Sequence, residues 1–251
     1  MKRGIAVNKI EQFADMVRRS ERIVFFGGAG VSTESGIKDY RSPDGIYQTV
    51  KAYDVSPETI LSREFFNAHP EVFYRFHYEY FLNVTAAENR THKVLAELER
   101  QGKLSAVITQ NIDGLHQAAG SEHVIELHGT VSLHYCTQCR ELMDTADVKA
   151  LRGAVPHCAE CGGIVRPDVV LYGEPLPQAA INEALDEIAA ADMLIVGGTS
   201  LVVYPAAGLL RYFGGDRMVI INRDETPFDT QASLVFHDSI GDVMERMMQA
   251  L

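Results

Sequence analysis

The sequence has no long apolar run, and this absence limits where the protein can reside. Its buried-type stretches, such as residues 193–196, have the length of one β-strand, whereas a membrane-spanning helix needs about 20 apolar residues. No apolar stretch follows the amino terminus either, so we expect neither a signal peptide nor a membrane anchor. The sequence therefore predicts a cytoplasmic protein that does not bind membranes.

Basic residues are also scarce relative to acidic ones. Lys and Arg number 23 against 34 Asp and Glu, a formal net charge of −11. A nucleic-acid-binding domain needs basic side chains to neutralise phosphates, so this balance argues against direct nucleic-acid binding. Internal repeats and low-complexity linkers are absent as well. A chain of 251 residues without them predicts one large domain that carries insertions.

Cysteines are few, and they are grouped. Cys136-x2-Cys139 and Cys158-x2-Cys161 are separated by 18 residues, a spacing typical of a zinc ribbon. Four thiolates would fill a tetrahedral site and leave no position for a reacting water, so we predict one structural zinc ion. Two disulfides or free core thiols are the alternatives, and a reducing cytoplasm disfavours disulfides.

What the sequence does contain is a regular alternation of strand and helix patterns. This alternation predicts an α/β fold with a Rossmann-like parallel sheet covered on both faces. The strands are predicted at residues 22–26, 105–109, 124–127, 169–172, 193–196, 218–221 and 234–236. The helices are predicted at residues 10–19, 91–101, 177–190, 204–213 and 240–250.

Two stretches interrupt the alternation and are interpreted as insertions. Residues 38–89 are rich in aromatic side chains and predict a loop with helices, and residues 135–166 contain all four cysteines. We therefore expect a Rossmann-like domain formed by residues 1–134 and 167–251, and a zinc-binding module formed by residues 135–166. A cleft between such units is a common place for a ligand.

A glycine-rich turn, Gly27-Gly28-Ala29-Gly30, follows the first predicted strand, and a helix is predicted to begin at Val31. Backbone N–H groups at such a helix start commonly face a dinucleotide's pyrophosphate. The motif is partial, because Thr33 replaces its third glycine and no acidic residue ends a second strand about 20 positions on. These absences argue against an ordinary NAD dehydrogenase, and a purely structural turn remains an alternative. Asn222 and the turn at residues 197–200 also follow strands and offer ribose contacts.

Polar residues follow two further strands. Gln110-Asn111-Ile112-Asp113 comes after one predicted strand and His128-Gly129 after the next. Carboxyl ends of parallel strands meet at one edge of a sheet, so His128 is a candidate general base; a surface or packing histidine is the alternative. The polar loop from Asp39 to Gly45 is either a solvated connector or a flexible lid.

These motifs occur in one order along the whole chain. They are Gly28-Ala29-Gly30-Val31-Ser32, Gly36-Ile37-Lys38-Asp39-Tyr40-Arg41-Ser42, Thr109-Gln110-Asn111-Ile112-Asp113, His128-Gly129, the two cysteine pairs, and Gly198-Thr199-Ser200-Leu201. In this combination the sequence resembles the sirtuins, the NAD-dependent protein lysine deacylases. It is most similar to the compact bacterial and archaeal members, and the resemblance covers essentially the whole chain.

The resemblance implies a reaction that consumes NAD and acts on acetylated lysine in proteins or peptides. The acyl oxygen attacks the nicotinamide ribose, and the products are nicotinamide, O-acyl-ADP-ribose and free lysine. His128 matches the base that deprotonates a ribose hydroxyl, and Asn111 and Gln110 match residues that orient the ribose and a water. Asp113, Ile112 and Tyr40 match the nicotinamide pocket. A protein mono-ADP-ribosyltransferase, which cleaves NAD in the same way, is the nearest alternative.

The resemblance implies further contacts to both substrates. Val170, Gly173 and Glu174 match the segment along which a substrate peptide lies as an added strand. The remaining NAD contacts are residues of the turns, the loop and the last helix: Gly28, Ala29, Gly30, Thr33, Asp39, Arg41, Gly198, Thr199, Ser200, Asn222 and Ile240. We expect the protein to be a monomer.

The sequence departs from the family pattern at three positions near the turn. Gly27, Lys38 and Tyr40 stand where threonine, proline and phenylalanine are usual, which predicts a looser loop and an altered rate. Members that prefer succinyl or malonyl lysine carry a tyrosine and an arginine three residues apart. The matching positions here are His77 and Tyr80, which lack the guanidinium that a carboxylate requires. An acetyl or other neutral acyl substrate is therefore predicted.

Overall fold

The computed structural model describes residues 2–39, 45, 53 and 55–251, with the backbone alone for residues 2–8. Its centre is a parallel sheet of six strands: β1 (Ile23–Gly27), β2 (Leu104–Thr109), β3 (Val124–Glu126), β7 (Met193–Gly197), β8 (Met218–Ile221) and β9 (Leu234–Phe236). Across the sheet their order is β3-β2-β1-β7-β8-β9. Every residue of β1, β7 and β8 is buried, as expected for strands covered on both faces. The predicted α/β class is thereby confirmed.

Helices cover the two faces of this sheet. The long ones are α1 (Lys2–Arg19), α5 (Arg90–Arg100), α8 (Gln178–Ala190) and α9 (Ile240–Ala250). One core cluster contains side chains of α1, α5 and α9, and a second contains side chains of α8 together with the 3-10 turns at Ala206–Tyr212. Among the described residues, no helix has the length and apolar character needed to cross a bilayer.

A second, antiparallel sheet follows the third strand in the chain. It consists of β4 (Gly129–Cys136), β5 (Leu142–Met143) and β6 (Val165–Val169) in the order β5-β4-β6. The short helix α7 (Thr145–Ala150) begins at the cap residue Asp144, whose side chain accepts from the Ala146 N–H. All four cysteines lie in or beside this sheet.

Short helices form much of the described part of the aromatic insertion. They are α2 (Pro57–Ile60), α3 (Arg63–Ala68) and α4 (Pro70–His77), followed by a π-helical turn at Tyr78–Leu82. The side chains of Phe66, Phe73 and Tyr74 pack against Val169 and Leu171 in a separate apolar cluster. The insertion is thus attached to the chain that leaves β6. The last short helix of the fold, α6 (Leu115–Ala118), follows β2.

Three predicted elements are wrong. Residues 170–172 are not a strand: β6 ends at Val169, and the N–H groups of Val170 and Tyr172 donate to different segments, at His128 and Leu61. No α-helix begins at Val31, because hydrogen bonds of the i to i+3 type form two 3-10 turns, Ala29–Val31 and Thr33–Ser35. Residues 206–212 are 3-10 as well, since Gly208 within that segment disfavours an α-helix.

The start of α5 also differs from expectation. Its cap is Asn89, whose side chain accepts from the N–H groups of Thr91 and His92, while the His92 ring accepts from the Asn89 N–H. Thr91 is therefore the second residue of the helix. Asparagine is among the most favourable residues at this position, which explains why the helix begins one residue earlier than predicted.

Candidate functional site

The carboxyl ends of the parallel strands meet at one edge of the sheet. Gly27 lies in register with Thr109 and with Gly197, and Thr109 lies in register with Glu126. A cleft of about 720 Å³ opens over this edge. Fifteen of the predicted site residues line it: Gly28, Ala29, Gly30, Asp39, Gln110, Asn111, Ile112, His128, Val170, Gly173, Glu174, Gly198, Thr199, Ser200 and Asn222.

Two glycine turns form one wall of the cleft by packing against each other. A Cβ on Gly30 would lie 2.7 Å from the Cα of Gly198, and a Cβ on Gly28 would lie 2.9 Å from the Cβ of Thr199. The Gly30 N–H donates to the Gly198 carbonyl oxygen at 2.8 Å. Glycine is therefore needed at these positions so that the turns after β1 and β7 can touch.

The backbone N–H groups of the first turn are mostly engaged within the protein. Gly28 and Gly30 donate to the carbonyl oxygens of Gly197 and Gly198, and Val31 donates to Gly28. The array of N–H groups expected at a helix start is thus replaced by a compact turn with few donors turned outward.

Gln110 connects the ends of three strands. Its N–H donates to the Gly27 carbonyl oxygen at 3.0 Å, and its side-chain Nε2 donates to Thr199 Oγ1 at 3.2 Å and to the same Gly27 oxygen at 3.3 Å. The residue after β2 is therefore bound to the residues at the ends of β1 and β7. This leaves little freedom for the segment that follows.

His128 lies in the cleft wall directly after β3 and is held in one tautomer. Its Nδ1 lies 2.8 Å from the Gln110 carbonyl oxygen, which can only accept, so Nδ1 carries the proton and Nε2 has the lone pair. Burial lowers the pKa of His128 below its ordinary value of 6.5, and the hydrogen bond to Gln110 opposes that shift. His128 is therefore a neutral base at neutral pH.

A serine that sequence reasoning did not assign connects two predicted catalytic residues. The buried Ser32 hydroxyl donates to Asp113 Oδ2 at 2.7 Å and accepts from Asn111 Nδ2 at 3.1 Å. The second carboxylate oxygen of Asp113 accepts from the Leu115 N–H at 3.0 Å. Ser32 thus fixes both side chains. In the sequence the only sign of this role is that Ser32 is the polar residue at the end of the motif Gly28-Ala29-Gly30-Val31-Ser32. Its two partners lie 79 and 81 positions away along the chain, so no local pattern reveals them.

The segment from Val170 to Glu174 borders the cleft opposite the glycine turns. Glu174 forms a paired ion contact with Arg166, with Nη1 and Nη2 at 2.7 and 2.9 Å from its two oxygens, and it also accepts from the Leu171 N–H. Arg166 Nη2 donates to the Val169 carbonyl oxygen at 2.8 Å. The Arg166 guanidinium lowers the pKa of Glu174 against the opposing effect of burial. This pair supports the segment from within, and sequence reasoning did not identify Arg166.

The other predicted NAD residues lie elsewhere. Asp113 does not line the cleft, and its Oδ2 accepts a hydrogen bond from the Ser32 hydroxyl. Thr33 does not line it either, and its Oγ1 donates to the Gly30 carbonyl oxygen. Ile240 packs over Gly197, where a Cβ would come within 2.2 Å of the Ile240 Cδ1. Tyr40 and Arg41 lie outside the described residues.

The structure describes the surroundings of Gly27 and Lys38, two of the three positions that depart from the family pattern. A Cβ on Gly27 would lie 2.6 Å from the Phe25 ring, so the ring occupies the space that a larger residue would need. The Gly27 carbonyl oxygen accepts hydrogen bonds from the backbone N–H and the side-chain Nε2 of Gln110. Lys38 is exposed to solvent.

The four cysteines fit a zinc ion. Their Sγ atoms all lie within 4.8 Å of one another, and the closest pairs are 3.4 to 3.5 Å apart. A disulfide would require about 2.05 Å, whereas tetrahedral Zn–S bonds of about 2.3 Å place the sulfurs about 3.8 Å apart. Gly163 permits this geometry, because a Cβ there would lie 2.9 Å from the Cys136 Sγ. The predicted metal-ligating set is thus brought together, and its alternatives are disfavoured.

Comparison with known proteins agrees with this arrangement. The model of the Sir2 family matches residues 28–205. The NAD-dependent protein deacetylase of Clostridium tetani is 50% identical over 94% of this chain and 96% of its own length. The Staphylococcus aureus (strain N315) protein of the same name is 46% identical over 96% and 98%.

Solved structures are similar over the same extent. A structure described as Sir2 with p53 peptide and NAD+ has a TM-score of 0.85 and 42% identity, covering 96% of this chain and 98% of that one. Another, described as Sir2 bound to acetylated peptide, has a TM-score of 0.85 and 41% identity with the same coverage.

Proposed function

This chain belongs to the Sir2 family and is an NAD-dependent protein deacetylase, and on that premise we propose which of its residues perform the reaction. NAD and an acetyl-lysine peptide enter the cleft at the carboxyl edge of the parallel sheet. The reaction yields nicotinamide, O-acyl-ADP-ribose and free lysine. The observation that carries the assignment is the fixed tautomer of His128 in the wall of that cleft.

His128 is proposed as the general base that removes a proton from a ribose hydroxyl. Its Nε2 has the lone pair because Nδ1 donates to the Gln110 carbonyl oxygen. The lowered pKa keeps the ring unprotonated at neutral pH, and a proton accepted at Nε2 leaves an imidazolium that the Gln110 oxygen stabilises. The Val170 N–H donates to the His128 carbonyl oxygen at 2.9 Å. This hydrogen bond links the proposed base to the segment from Val170 to Glu174, along which the peptide is proposed to lie.

Asp113 and Asn111 are proposed to act where nicotinamide leaves the ribose. Departure of nicotinamide gives the ribose cationic character, which a nearby carboxylate stabilises electrostatically. Ser32 holds Asp113 Oδ2 and Asn111 Nδ2 through one hydroxyl, which makes it a positioning residue for both groups. Ile112 stands between these two residues and lines the cleft beside them.

NAD is proposed to lie along the two glycine turns. Gly28, Ala29, Gly30, Gly198, Thr199 and Ser200 line this side of the cleft, together with Asp39 and Asn222. Thr33 and Ile240 support the turns from behind. Tyr40 and Arg41 are proposed to complete the site from the adjacent loop.

The peptide is proposed to lie along Val170 and Gly173 as an added strand, a mode that depends on backbone hydrogen bonds and tolerates varied sequences. Tyr172 and Gly173 border the cleft at this point. The Glu174 side chain is proposed to hold this segment in place and not to contact the peptide, because its two carboxylate oxygens accept from Arg166 and from the Leu171 N–H. Residues 135–166 are proposed as the zinc module and the rest as the catalytic domain.

The acyl group is proposed to be neutral. The apolar end of the cleft contains Phe81 and His77, and no guanidinium from the described residues lines it. We further propose that the enzyme works as a monomer in the cytoplasm without binding nucleic acid. The net charge of −11 argues against nucleic-acid binding, and a four-thiolate zinc site suits a reducing compartment.

We predict that His128→Ala lowers kcat/KM for acetyl-lysine peptide by roughly 10²- to 10⁴-fold, the contribution of a general base. The exposed His69 provides the control, since His69→Ala removes an imidazole outside the cleft. In the native enzyme kcat/KM falls as the pH drops through the lowered pKa of His128, so the acid limb has its midpoint below pH 6.5. Steady-state rates between pH 5 and 8 measure both effects. Retained activity of His128→Ala would refute the assignment.

Ser32→Ala is expected to lower kcat by roughly ten- to a hundredfold, because it removes a hydrogen bond to a charged group and releases Asn111. Ser35→Ala is the matched control from the same turn, since the Ser35 hydroxyl contacts Asn89 instead. Rates at saturating NAD and peptide, with thermal melting to check folding, measure the difference. Equal kcat values for the two variants contradict the positioning role.

A third prediction concerns the acyl group. Acetyl-lysine peptide should be turned over with a kcat/KM at least roughly tenfold above that of the matched succinyl-lysine peptide, because an unpaired carboxylate in an apolar pocket is costly. Mass measurement of the deacylated peptide gives both values. A preference for succinyl-lysine contradicts the proposed neutral pocket.

A further inference from the structure

The first turn of the C-terminal helix α9 lies behind both of the glycine turns that form one wall of the cleft. Ile240, the first residue of α9, packs over Gly197 at the end of β7. The next residue, Gly241, is buried against Glu34, which follows the first glycine turn in the chain. The start of one helix thus contacts the supports of both turns.

The Glu34 carboxylate binds the start of this helix. Its Oε1 accepts from the Ser239 hydroxyl and from the Gly241 N–H, the latter at 3.1 Å. Arg90, the first residue of α5, donates to its Oε2 at 3.2 Å. Only 17% of the Glu34 side chain is exposed. A negative charge at a helix N-terminus also interacts favourably with the helix dipole. Glu34 therefore connects the turn after β1 to both α5 and α9.

Gly241 is required for this contact. A Cβ at residue 241 would overlap the Glu34 carboxylate, so only glycine lets the helix start approach so closely. Alanine would otherwise be the better helix former at this position. Burial opposes the ionisation of Glu34, but the hydrogen bonds from Ser239, Gly241 and Arg90 lower its pKa below the ordinary value. The carboxylate is therefore charged at neutral pH.

Glu34 is the middle residue of the second 3-10 turn, Thr33–Ser35, which joins the glycine motif to Asp39. On one side of Glu34, the Thr33 hydroxyl donates to the Gly30 carbonyl oxygen, and Gly30 lines the cleft. On the other side the chain reaches Asp39, which lines the cleft as well. The turn that Glu34 fixes to α9 therefore carries cleft residues before and after it.

We propose that Glu34 is a positioning residue for NAD, which ties the turn between the glycine motif and Asp39 to the start of α9 and makes NAD affinity depend on the placement of the C-terminal helix. This inference rests on the proposed placement of NAD along the two glycine turns. Glu34 does not line the cleft, so it acts through the turn and not through a contact with the cofactor. If only a fraction of the molecules has the turn correctly placed, the apparent Kd for NAD rises by the reciprocal of that fraction.

Glu34→Ala is expected to raise the KM for NAD, at saturating acetyl-lysine peptide, by roughly five- to thirtyfold. The kcat should fall by less than about threefold, because bound NAD selects the correct turn and Ser32 keeps its own hydrogen bonds to Asn111 and Asp113. Glu34→Gln keeps one acceptor oxygen, so its KM for NAD should lie between those of Glu34→Ala and the native enzyme, at least about twofold above the latter. Calorimetric Kd values for NAD without peptide should change in parallel. A merely structural role would lower the melting temperature and the active fraction and leave KM unchanged.

Gly241→Ala tests the same contact from the helix side. Its added methyl group displaces the Glu34 carboxylate, so this variant should also raise the KM for NAD. In the Glu34→Ala background the same substitution should change KM by less than about twofold, because the carboxylate that it displaces is absent. Glu245→Gln is the matched control, since it removes a charge that Arg90 contacts at 3.0 Å and leaves Glu34 in place. Its KM for NAD should stay within about twofold of the native value.

Two results overturn the proposal. The first is an unchanged KM for NAD in Glu34→Ala or, where that variant does not fold, in Glu34→Gln. The second is a rise caused by Gly241→Ala that is equally large with and without Glu34. Asn222→Ala tests the proposed placement of NAD separately, because the Asn222 side chain belongs to a residue that lines the cleft. If Asn222→Ala raises the KM for NAD and Glu34→Ala does not, the inference alone fails; if neither raises it, the placement of NAD fails.

Discussion

The hydrogen bond between His128 and the Gln110 carbonyl oxygen is the interaction on which the site depends most. It joins the segments that follow two neighbouring strands, and it selects the imidazole nitrogen that can accept a proton. Gln110 can serve as the acceptor because its own N–H and side chain are bound to Gly27 and Thr199. The proposed base is therefore positioned by the carboxyl edge of the sheet.

Two further supports reach the same edge from opposite sides. Ser32 holds Asn111 and Asp113 from the turn after β1, and the Arg166–Glu174 pair holds the segment from Val170 to Glu174. Both supports are hydrogen-bonded to charged groups and largely removed from solvent, where such bonds are strong. The proposed catalytic groups thus keep their relative positions before any substrate binds, and we expect little reorganisation during the reaction.

Much of this arrangement could be predicted from the sequence. The strands at residues 218–221 and 234–236 and the last helix were predicted with their observed bounds, because apolar periodicity marks buried elements clearly. The four cysteines and the residues after β2 and β3 were identified because their spacing or position is informative on its own. The order of these motifs then predicted the family and the reaction.

The errors arise where distant contacts override local patterns. Residues 170–172 look like a strand, yet the N–H groups of Val170, Leu171 and Tyr172 donate to His128, Glu174 and Leu61 respectively. The turn after β1 looks like a helix start, yet the turn after β7 takes its N–H groups. Ser32 and Arg166 were not identified for the same reason, since their partners lie far away in the sequence or outside any motif.

Coupling of NAD cleavage to removal of the acetyl group can be measured directly. The enzyme is incubated with NAD and an acetyl-lysine peptide, and nicotinamide, deacetylated peptide and O-acetyl-ADP-ribose are quantified by mass over time. We expect equal yields of all three. Nicotinamide released without the other two products, or ADP-ribose found attached to protein, would contradict this coupling.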